Sequence, residues 1–505
     1  MKKRTKFIYN GFLMTAVGLA MRGTQLLFGA YVARAVGAEG VGLNTLVMMV
    51  YSFALTFATS GISLTVTRLV ATGLGEGREA DVGKIIKGAF AYAFTFGAVA
   101  SLLLMLLSHI IGVSIIGDSV SVTALRILSL SLIPSAFSAV ISGYFVAVRR
   151  VTLNAITQVS GQLFRIGITV VLLTRSGGDG SIVSLAFGVT LAELAAFLVA
   201  LPELIVDRAR SSGSQGMTVK PVAKMALPLA VSAYLRSALL TLEHNLIPKS
   251  LERHGESKNT ALSNYGYLHG MALPLILYPM TPLSSFSGLL VPELAEAKGA
   301  GLTVRMERIA SRALNVTLVY AIVSAVFIYR FSEELGFAVY NSYDVGAFIA
   351  ILAPVVPIMY LDHVADAILK GIGEHIYSMW VNIADAVLSV VLVIVLIPIM
   401  GIAGYAVVII CMEAFNFVLS VLRLKKRIPF RLDILRSALL PLLSSLGAAI
   451  LSEAAFSISG SEITPVLLVL ELVFAVCLFI AISISLRALL SLIKILPKNK
   501  ASAHK

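Results

Sequence analysis

Arginines inside long apolar runs are the residues of this sequence best suited to bind a ligand. Arg22 and Arg236 each lie near the middle of such a run. A guanidinium stays charged and forks onto phosphate oxygens, so two of them facing one cavity would bind an anion such as a diphosphate. The alternative is an intramembrane salt bridge, either between Arg236 and Glu243 or between Arg22 and an acid of the sixth run.

Acidic side chains form a second candidate group. Asp362 and Asp366 are four residues apart and share a helical face, and Asp385 follows on the next predicted helix. Carboxylate oxygens suit hard cations, so these residues, together with the mid-run Glu193, are candidates for Na⁺ or proton coupling. The alternatives are a pair between Asp366 and Lys370 one turn on, and a pair between Asp362 and one of the two arginines.

Two further polar residues, Glu243 and His244, lie toward the end of the seventh run. They could belong to an outer gate, but an interfacial polar pair is the reading we favour. An ionisable group in the middle of a membrane costs about 2.5–3.5 kcal/mol on insertion scales, so each is expected to face a cavity or a partner. Prolines in runs seven, eight and ten predict broken or bent helices there.

The composition indicates where these residues work. The chain has 505 residues, of which 58% are hydrophobic and only 13% are charged, whereas soluble domains carry about 25% charged residues. A net charge of +13 would suggest nucleic acid in a soluble protein. Here the basic residues lie in short segments between apolar runs, which favours a membrane protein without a nucleic-acid partner.

About fourteen apolar runs are long enough to span a bilayer. They cover residues 8–34, 42–72, 85–113, 121–147, 152–174, 182–206, 222–247, 263–291, 312–330, 346–370, 376–399, 402–422, 434–455 and 465–490. The runs are too long and too continuously apolar for barrel strands, so the sequence predicts an all-α integral membrane fold.

Lysine and arginine are distributed asymmetrically between alternate loops. With the N-terminus in the cytoplasm, the external segments hold only Arg34, Arg175, Lys249, Arg253, Lys258 and Arg330. The positive-inside rule therefore predicts an even number of spans in the bacterial cytoplasmic (inner) membrane, with both termini cytoplasmic.

The runs group as six, six and two. A polar, glycine- and serine-rich linker at 207–221 separates a lobe at 1–206 from a lobe at 222–424, followed by two extra helices at 432–490 and a basic tail at 491–505. The stretch ending at Gln158 resembles the stretch ending at Asn382, with Pro134 and Pro357 aligned. Parallel six-span repeats are typical of transporters.

Catalytic and metal-binding motifs are absent from the sequence. It contains no GxxxxGK[ST], HExxH or GxSxG motif, and Cys411 and Cys477 form no zinc or disulfide pattern. No resident cofactor, metal or enzyme activity is expected, and transport would be driven by Na⁺, H⁺ or the membrane potential.

The opening of the chain resembles a known superfamily. Arg22, the turn VARAVGAEGVGL (Val32 to Leu43) and the stretch SGISLTVTRLVA (Ser60 to Ala71) are similar to the multidrug/oligosaccharidyl-lipid/polysaccharide (MOP) flippases. The best match is the polysaccharide transporter branch, which includes stage V sporulation protein B and the lipid II flippases.

This resemblance implies a V-shaped pair of six-helix lobes that moves an undecaprenyl-diphosphate-linked saccharide by alternating access. The lipid tail would lie on the last two helices, and cell-wall synthesis enzymes would be partners. Arg22 matches an arginine that lines the cavity of lipid II flippases, whereas span eight has His269 and no arginine. Arg236 or Arg165 would replace the missing cations. The alternatives are a cation-coupled multidrug exporter and a membrane scaffold or glycosyltransferase.

Overall fold

The computed structural model describes residues 2–76, 79–148, 150–175, 180–209, 219–457 and 465–501. Within these ranges the regular secondary structure is helical, without strands. A helix satisfies its backbone hydrogen bonds internally, as the bilayer core requires. The predicted all-α membrane fold is therefore confirmed.

The helices follow one another with short connections. The first nine are α1 (Lys2–Thr59), α2 (Ile62–Gly75), α3 (Glu79–His109), α4 (Ser119–Ser129), α5 (Leu132–Ala147), α6 (Val151–Arg175), α7 (Gly180–Ala209), α8 (Lys220–His254) and α9 (Lys258–Tyr265). The next five are α10 (Leu273–Leu277), α11 (Thr281–Gly299), α12 (Thr303–Arg330), α13 (Ser332–Tyr340) and α14 (Tyr343–Leu352). The last five are α15 (Val356–Gly371), α16 (His375–Met400), α17 (Ile402–Arg427), α18 (Leu440–Ser457) and α19 (Pro465–Ala501).

Eleven helical segments of the described chain are long and apolar enough to cross a membrane, or twelve if the bent pair α4–α5 counts as one span. One of the eleven, Gly18–Leu74, covers the first two predicted spans. It contains Gly37, whose φ of 71° and ψ of 177° interrupt α1 in a region open essentially to glycine alone. The helix α8, which is not among the eleven, covers the predicted span 222–247. With these assignments, each of the fourteen predicted spans corresponds to helix.

Spans eight and ten are broken, as their prolines predict. A π-helical segment at Gly266–Ala272 and a 3₁₀ turn at Tyr278–Met280 separate α9, α10 and α11. A second 3₁₀ turn, Ala353–Val355, separates α14 from α15. A proline lacks the N–H that the preceding turn would bond. By contrast, span seven is the continuous helix α8.

The chain packs as two units. The first packing unit comprises Met1–Ala30, Tyr267–Asp385 and Ala406–Lys505, and the second comprises Tyr31–Gly266 and Ala386–Tyr405. This grouping reflects packing and does not test the six, six and two division along the chain, which remains a prediction. Most of the predicted linker and the end of the basic tail lie outside the described residues.

In the first packing unit, two apolar clusters form the core. One joins α11, α12, α15 and α17 through residues such as Leu294, Leu314 and Ile368. The other packs Phe327 and Phe331, at the end of α12, against α18 and α19. Arg330 strengthens this second contact, because its guanidinium lies 2.8 Å from Glu334, 3.2 Å from Glu453 and 3.3 Å from Glu471.

The second packing unit contains a close helix crossing that depends on glycine. Gly42 of α1 and Gly266 lie so near each other's helix that a Cβ would meet the carbonyl oxygen of Leu262 at 2.1 Å and that of Ala38 at 2.2 Å, respectively. Small residues at such crossings allow backbones to approach within a membrane.

We expect Gly42→Ala to destabilise the protein by about 1–3 kcal/mol, because the new methyl group forces two backbones apart. Gly18→Ala, on the same helix with nothing within 4 Å of the added Cβ, is the matched control and should be neutral. Thermal unfolding of the purified protein measures both changes. Equal melting temperatures for the two variants would contradict the crossing.

Candidate functional site

Arg22 lies on α1 at the wall of a cavity of about 420 Å³ within the first packing unit. Its side chain is exposed, and its Nη1 donates a hydrogen bond to the Thr281 hydroxyl at 3.3 Å. No ion pair to Arg22 occurs among the described residues. The guanidinium therefore faces the cavity with its charge available to an anion.

The remaining lining of this cavity is uncharged. Gln25 and Tyr340 contribute polar side chains, and Tyr278 lies across from the turn of α1 that carries Gly23. Most other lining residues are apolar, namely Leu26, Gly29, Gly270, Pro274, Leu277 and Met280. A pocket with one cation, a few hydrogen-bonding groups and apolar walls suits a small anionic head group attached to an apolar chain.

The break in span eight positions this lining. The 3₁₀ turn Tyr278–Met280 begins at Tyr278, whose carbonyl accepts the Thr281 hydroxyl hydrogen at 2.6 Å. The carbonyl of Pro279 accepts the Tyr320 hydroxyl hydrogen at 2.6 Å. These two hydrogen bonds fix the turn and, through Thr281, the side chain of Arg22.

Arg236 lies on α8 in the second packing unit, and its side chain is exposed. Neighbouring residues hold α8 in place: Tyr234 donates to the Phe57 carbonyl at 3.2 Å and Thr241 to the Met49 carbonyl at 3.1 Å. Arg236 has no ion pair among the described residues, so the predicted alternative, a bridge to Glu243, does not form there. A cavity shared by Arg22 and Arg236 remains a prediction.

Arg165 is placed differently from the other two arginines. It lies on α6, half-buried, and interacts electrostatically with Glu193 of α7 and with Tyr51. Glu193 also accepts a hydrogen bond from Ser135 at 2.9 Å. Arg165 and Glu193, predicted as an anion ligand and a coupling acid, thus belong to one internal network.

Three carboxyl groups come together on neighbouring helices of the first packing unit. Asp362 of α15 interacts electrostatically with Asp385 of α16 and Glu413 of α17, and it is hydrogen-bonded to Ser420. The Oδ1 atoms of Asp362 and of Asn416 are buried without a hydrogen-bond partner among the described residues. This carboxyl cluster contains two of the predicted coupling acids and adds Glu413.

The third acid of that prediction, Asp366, has its own partners at the end of α15. It lies 2.5 Å from Lys370 Nζ and accepts a hydrogen bond from Ser378. This ion pair is the alternative that the four-residue spacing of Asp366 and Lys370 predicts. Asp366 therefore differs from Asp362, which has no lysine or arginine within ion-pair distance among the described residues.

Glu243 and His244 are partnered inside the second packing unit. Ser389 donates to Glu243 at 2.6 Å, and Tyr265 is hydrogen-bonded to His244 Nδ1 at 3.1 Å. His244 is only 7% exposed. The two side chains thus have separate partners within this unit, and both the interfacial pair and the gating role stay predictions.

The sequence does not identify several residues of the Arg22 cavity and of the carboxyl cluster. Tyr278, Tyr340 and Thr281 line or support the cavity, and Asn416 and Ser420 accompany the carboxyl cluster. The spacing of Glu413, Asn416 and Ser420 places them on one helical face, a pattern that could have been found. The contact between Arg22 and Thr281 spans 259 residues, and nothing local predicts it.

The fold defines the class of the protein: a multi-pass, all-α membrane protein. A family model described as polysaccharide biosynthesis protein matches residues 7–298, and one described as MatE matches residues 269–395. The chain therefore belongs to the polysaccharide biosynthesis protein family. Membership of the MOP flippase superfamily, which the opening motifs predict, is confirmed.

Similar proteins agree with this assignment. Stage V sporulation protein B of Bacillus subtilis (strain 168) is 24% identical over 455 residues, covering 87% of each chain. The lipid II flippase MurJ in an inward closed conformation matches with a TM-score of 0.73 at 15% identity, over 96% of this chain and 100% of that one. An inward-facing multidrug resistance MATE family transporter matches with a TM-score of 0.66 at 15% identity, over 82% and 98%.

At these identities the structural matches establish the fold alone. The two solved structures are of a lipid II flippase and a multidrug transporter, in agreement with the prediction that the chain is not an enzyme.

Proposed function

We propose that the protein is a flippase for an undecaprenyl-diphosphate-linked saccharide, either a peptidoglycan precursor or another cell-envelope oligosaccharide. It moves this lipid from the inner to the outer leaflet by alternating access. Family membership and the similarity to stage V sporulation protein B support the proposal. The observation that carries it is Arg22, a cation without an ion pair among the described residues, in a cavity whose other described lining residues are neutral.

In this mechanism Arg22 binds a phosphate oxygen of the head group. The hydrogen bond to Thr281 holds the guanidinium at the cavity wall. Gln25 and Tyr278 supply neutral groups beside it, of the kind that accept and donate hydrogen bonds to sugar hydroxyls. Arg236 contributes the second positive charge of the predicted anion site. The lipid tail lies along the apolar helices α18 and α19.

We place the protein in the bacterial inner membrane with both termini in the cytoplasm, where cell-wall synthesis enzymes supply its substrate. The asymmetry of basic residues supports this orientation. Three of the basic residues in the predicted external segments have hydrogen-bond or ion-pair partners within the protein. Lys249 donates to the Ser114 carbonyl at 3.0 Å, Lys258 to the Gly117 carbonyl at 2.6 Å, and Arg330 contacts three glutamates.

Cation coupling is assigned to the carboxyl cluster. Asp362 and Glu413 have no lysine or arginine within ion-pair distance among the described residues, and neighbouring carboxylates cannot all stay charged in a membrane interior. We propose a proton as the neutralising species, since protonation of one carboxyl relieves the repulsion between neighbouring carboxylates, and Na⁺ is the alternative. Uptake and release of that proton would accompany the movement of α15 relative to α17.

A second candidate is a cation-coupled multidrug exporter, because the MatE family model matches residues 269–395. The charge of Arg22 disfavours an organic cation in the same cavity. Efflux of ethidium from proteoliposomes that do not flip the lipid-linked saccharide would favour this alternative.

Removal of the Arg22 charge should lower flipping of an undecaprenyl-diphosphate-linked saccharide in proteoliposomes by roughly 10- to 100-fold. A hydrogen bond to a charged group contributes about 1.5–3 kcal/mol. Arg22→Ala and Arg236→Ala are compared with Arg253→Ala, which changes an exposed arginine in the last turn of α8. Arg22→Lys should retain part of the activity, because lysine keeps the positive charge but cannot bind two phosphate oxygens in the bidentate geometry of a guanidinium.

Thr281→Val serves as a second probe of the same site. It removes the hydrogen bond to Arg22 while keeping the charge, so we expect a smaller loss than in Arg22→Ala. Melting temperatures confirm that each variant is folded. Full flipping activity in both Arg22→Ala and Arg236→Ala would refute the anion site, whereas no flipping by the unmodified protein would refute the function.

Orientation is tested by labelling single cysteines in a background of Cys411→Ser and Cys477→Ser. A membrane-impermeant maleimide added to intact cells should label Asn259→Cys. It should label Lys426→Cys only after permeabilisation, because the two exposed positions are assigned to opposite sides. The reverse labelling pattern would invert the topology.

For coupling, we expect an imposed proton gradient to stimulate flipping, and Glu413→Gln or Asp362→Asn to abolish that stimulation. Asp366→Asn is the matched control, since Asp366 already pairs with Lys370. Flipping rates with and without a pH or sodium gradient distinguish the two ions. Stimulation by sodium alone would reject the proton, and an unchanged response in both cluster variants would reject the cluster itself.

A further inference from the structure

A strongly basic segment covers the last turn of α17 and the connection to α18. Residues 425–436 include five basic residues: Lys425, Lys426, Arg427, Arg431 and Arg436. The segment belongs to the first packing unit. It lies apart from the residues that line the Arg22 cavity.

The backbone of this segment is held rigidly against α12. The Arg431 N–H donates to the Ser311 hydroxyl at 3.0 Å, and the Arg431 carbonyl accepts from the Asn315 amide at 2.8 Å. The Asp433 N–H donates to Oδ1 of the Asn315 side chain at 2.9 Å. While its backbone is fixed in this way, the side chain of Arg431 is 92% exposed.

Most of the positive charge here is not neutralised inside the protein. Arg431 approaches Glu307 only to 3.9 Å, and Arg436 approaches Asp433 only to 3.7 Å. Arg427 does pair with Glu374, at 2.6 Å. The remaining exposed cations have no ion pair among the described residues: Lys425, Lys426 and, on the adjoining turns of α12, Arg308 and Arg312.

Exposed apolar side chains lie among these cations. Ile434 is 64% exposed and Leu435 is 47% exposed, directly after Arg431 and Asp433. Val316 of α12 is 54% exposed, one residue beyond Asn315. A surface that alternates cations with exposed aliphatic side chains fits the boundary between lipid phosphates and acyl chains.

From this arrangement we infer that Arg312 and Arg431 form a binding site for the phosphate of an anionic phospholipid, with an acyl chain lying on Val316 and Ile434. Charge complementarity selects the occupant. A guanidinium can bind two phosphate oxygens at once. A negative head group would balance Arg312, which has no ion pair among the described residues, and Arg431, whose pair with Glu307 is long (3.9 Å) and exposed. The site does not depend on the proposed transport function.

The test compares phosphatidylglycerol with phosphatidylcholine bound to the purified full-length protein, counted as lipid adducts by native mass spectrometry. The unmodified protein should retain phosphatidylglycerol preferentially. Arg312→Gln combined with Arg431→Gln should bind it about 30-fold more weakly, which corresponds to about 2 kcal/mol. Replacement of both arginines by lysine should preserve most of the preference, because the charge remains.

Arg305→Gln is the matched control. Arg305 lies on the same helix but contacts Glu296 at 3.2 Å and Glu293 at 3.8 Å, so its loss should leave the lipid preference unchanged. Equal retention of the two lipids by the unmodified protein would overturn the inference. So would undiminished phosphatidylglycerol binding in the double glutamine variant, and the surface would then be open to an acidic protein partner instead.

Discussion

The interior of a bilayer cannot solvate charge, and this constraint accounts for the placement of the ionisable side chains in this protein. Each charged group in a span needs either a partner of opposite sign or a polar cavity. The chain uses both solutions. Arg330 contacts three glutamates at the end of α12, and Arg165 lies in the electrostatic field of Glu193. Arg22, by contrast, has a hydroxyl as its protein partner and a cavity in front of it. The difference separates arginines that stabilise the fold from one that is available to a ligand.

The same constraint explains the breaks in the helices. A span whose backbone is interrupted must bond the freed groups elsewhere. In span eight the carbonyls of Tyr278 and Pro279 accept hydrogen bonds from Thr281 and Tyr320. The first of these bonds also orients the partner of Arg22. The proline-rich stretch is therefore more than a kink, because its irregular backbone builds one wall of the cavity.

Sequence reasoning was reliable where the controlling interactions are local. Apolar runs of span length located the helices, and the one-turn spacing of Asp366 and Lys370 offered their ion pair in advance. It failed where partners are distant. Arg165, like Arg22, is an arginine within an apolar run. Only the packing of α6 against α7 brings Arg165 near Glu193. Likewise, Thr281 and Tyr340 carry no pattern that marks them as neighbours of a residue in the first helix.

The helix α15 connects the two candidate regions of the first packing unit. Asp362 interacts with Glu413 and Asp385, while the adjacent His363 interacts electrostatically with Arg22. Successive residues of a helix point about 100° apart, so one helix can present one residue to the carboxyl cluster and the next toward the arginine. A shift of α15 that accompanies neutralisation of the cluster would therefore change the electrostatic environment of Arg22. In the proposed mechanism, coupling between a proton and an anionic head group would then require the movement of a single helix, and no chain of intermediate residues.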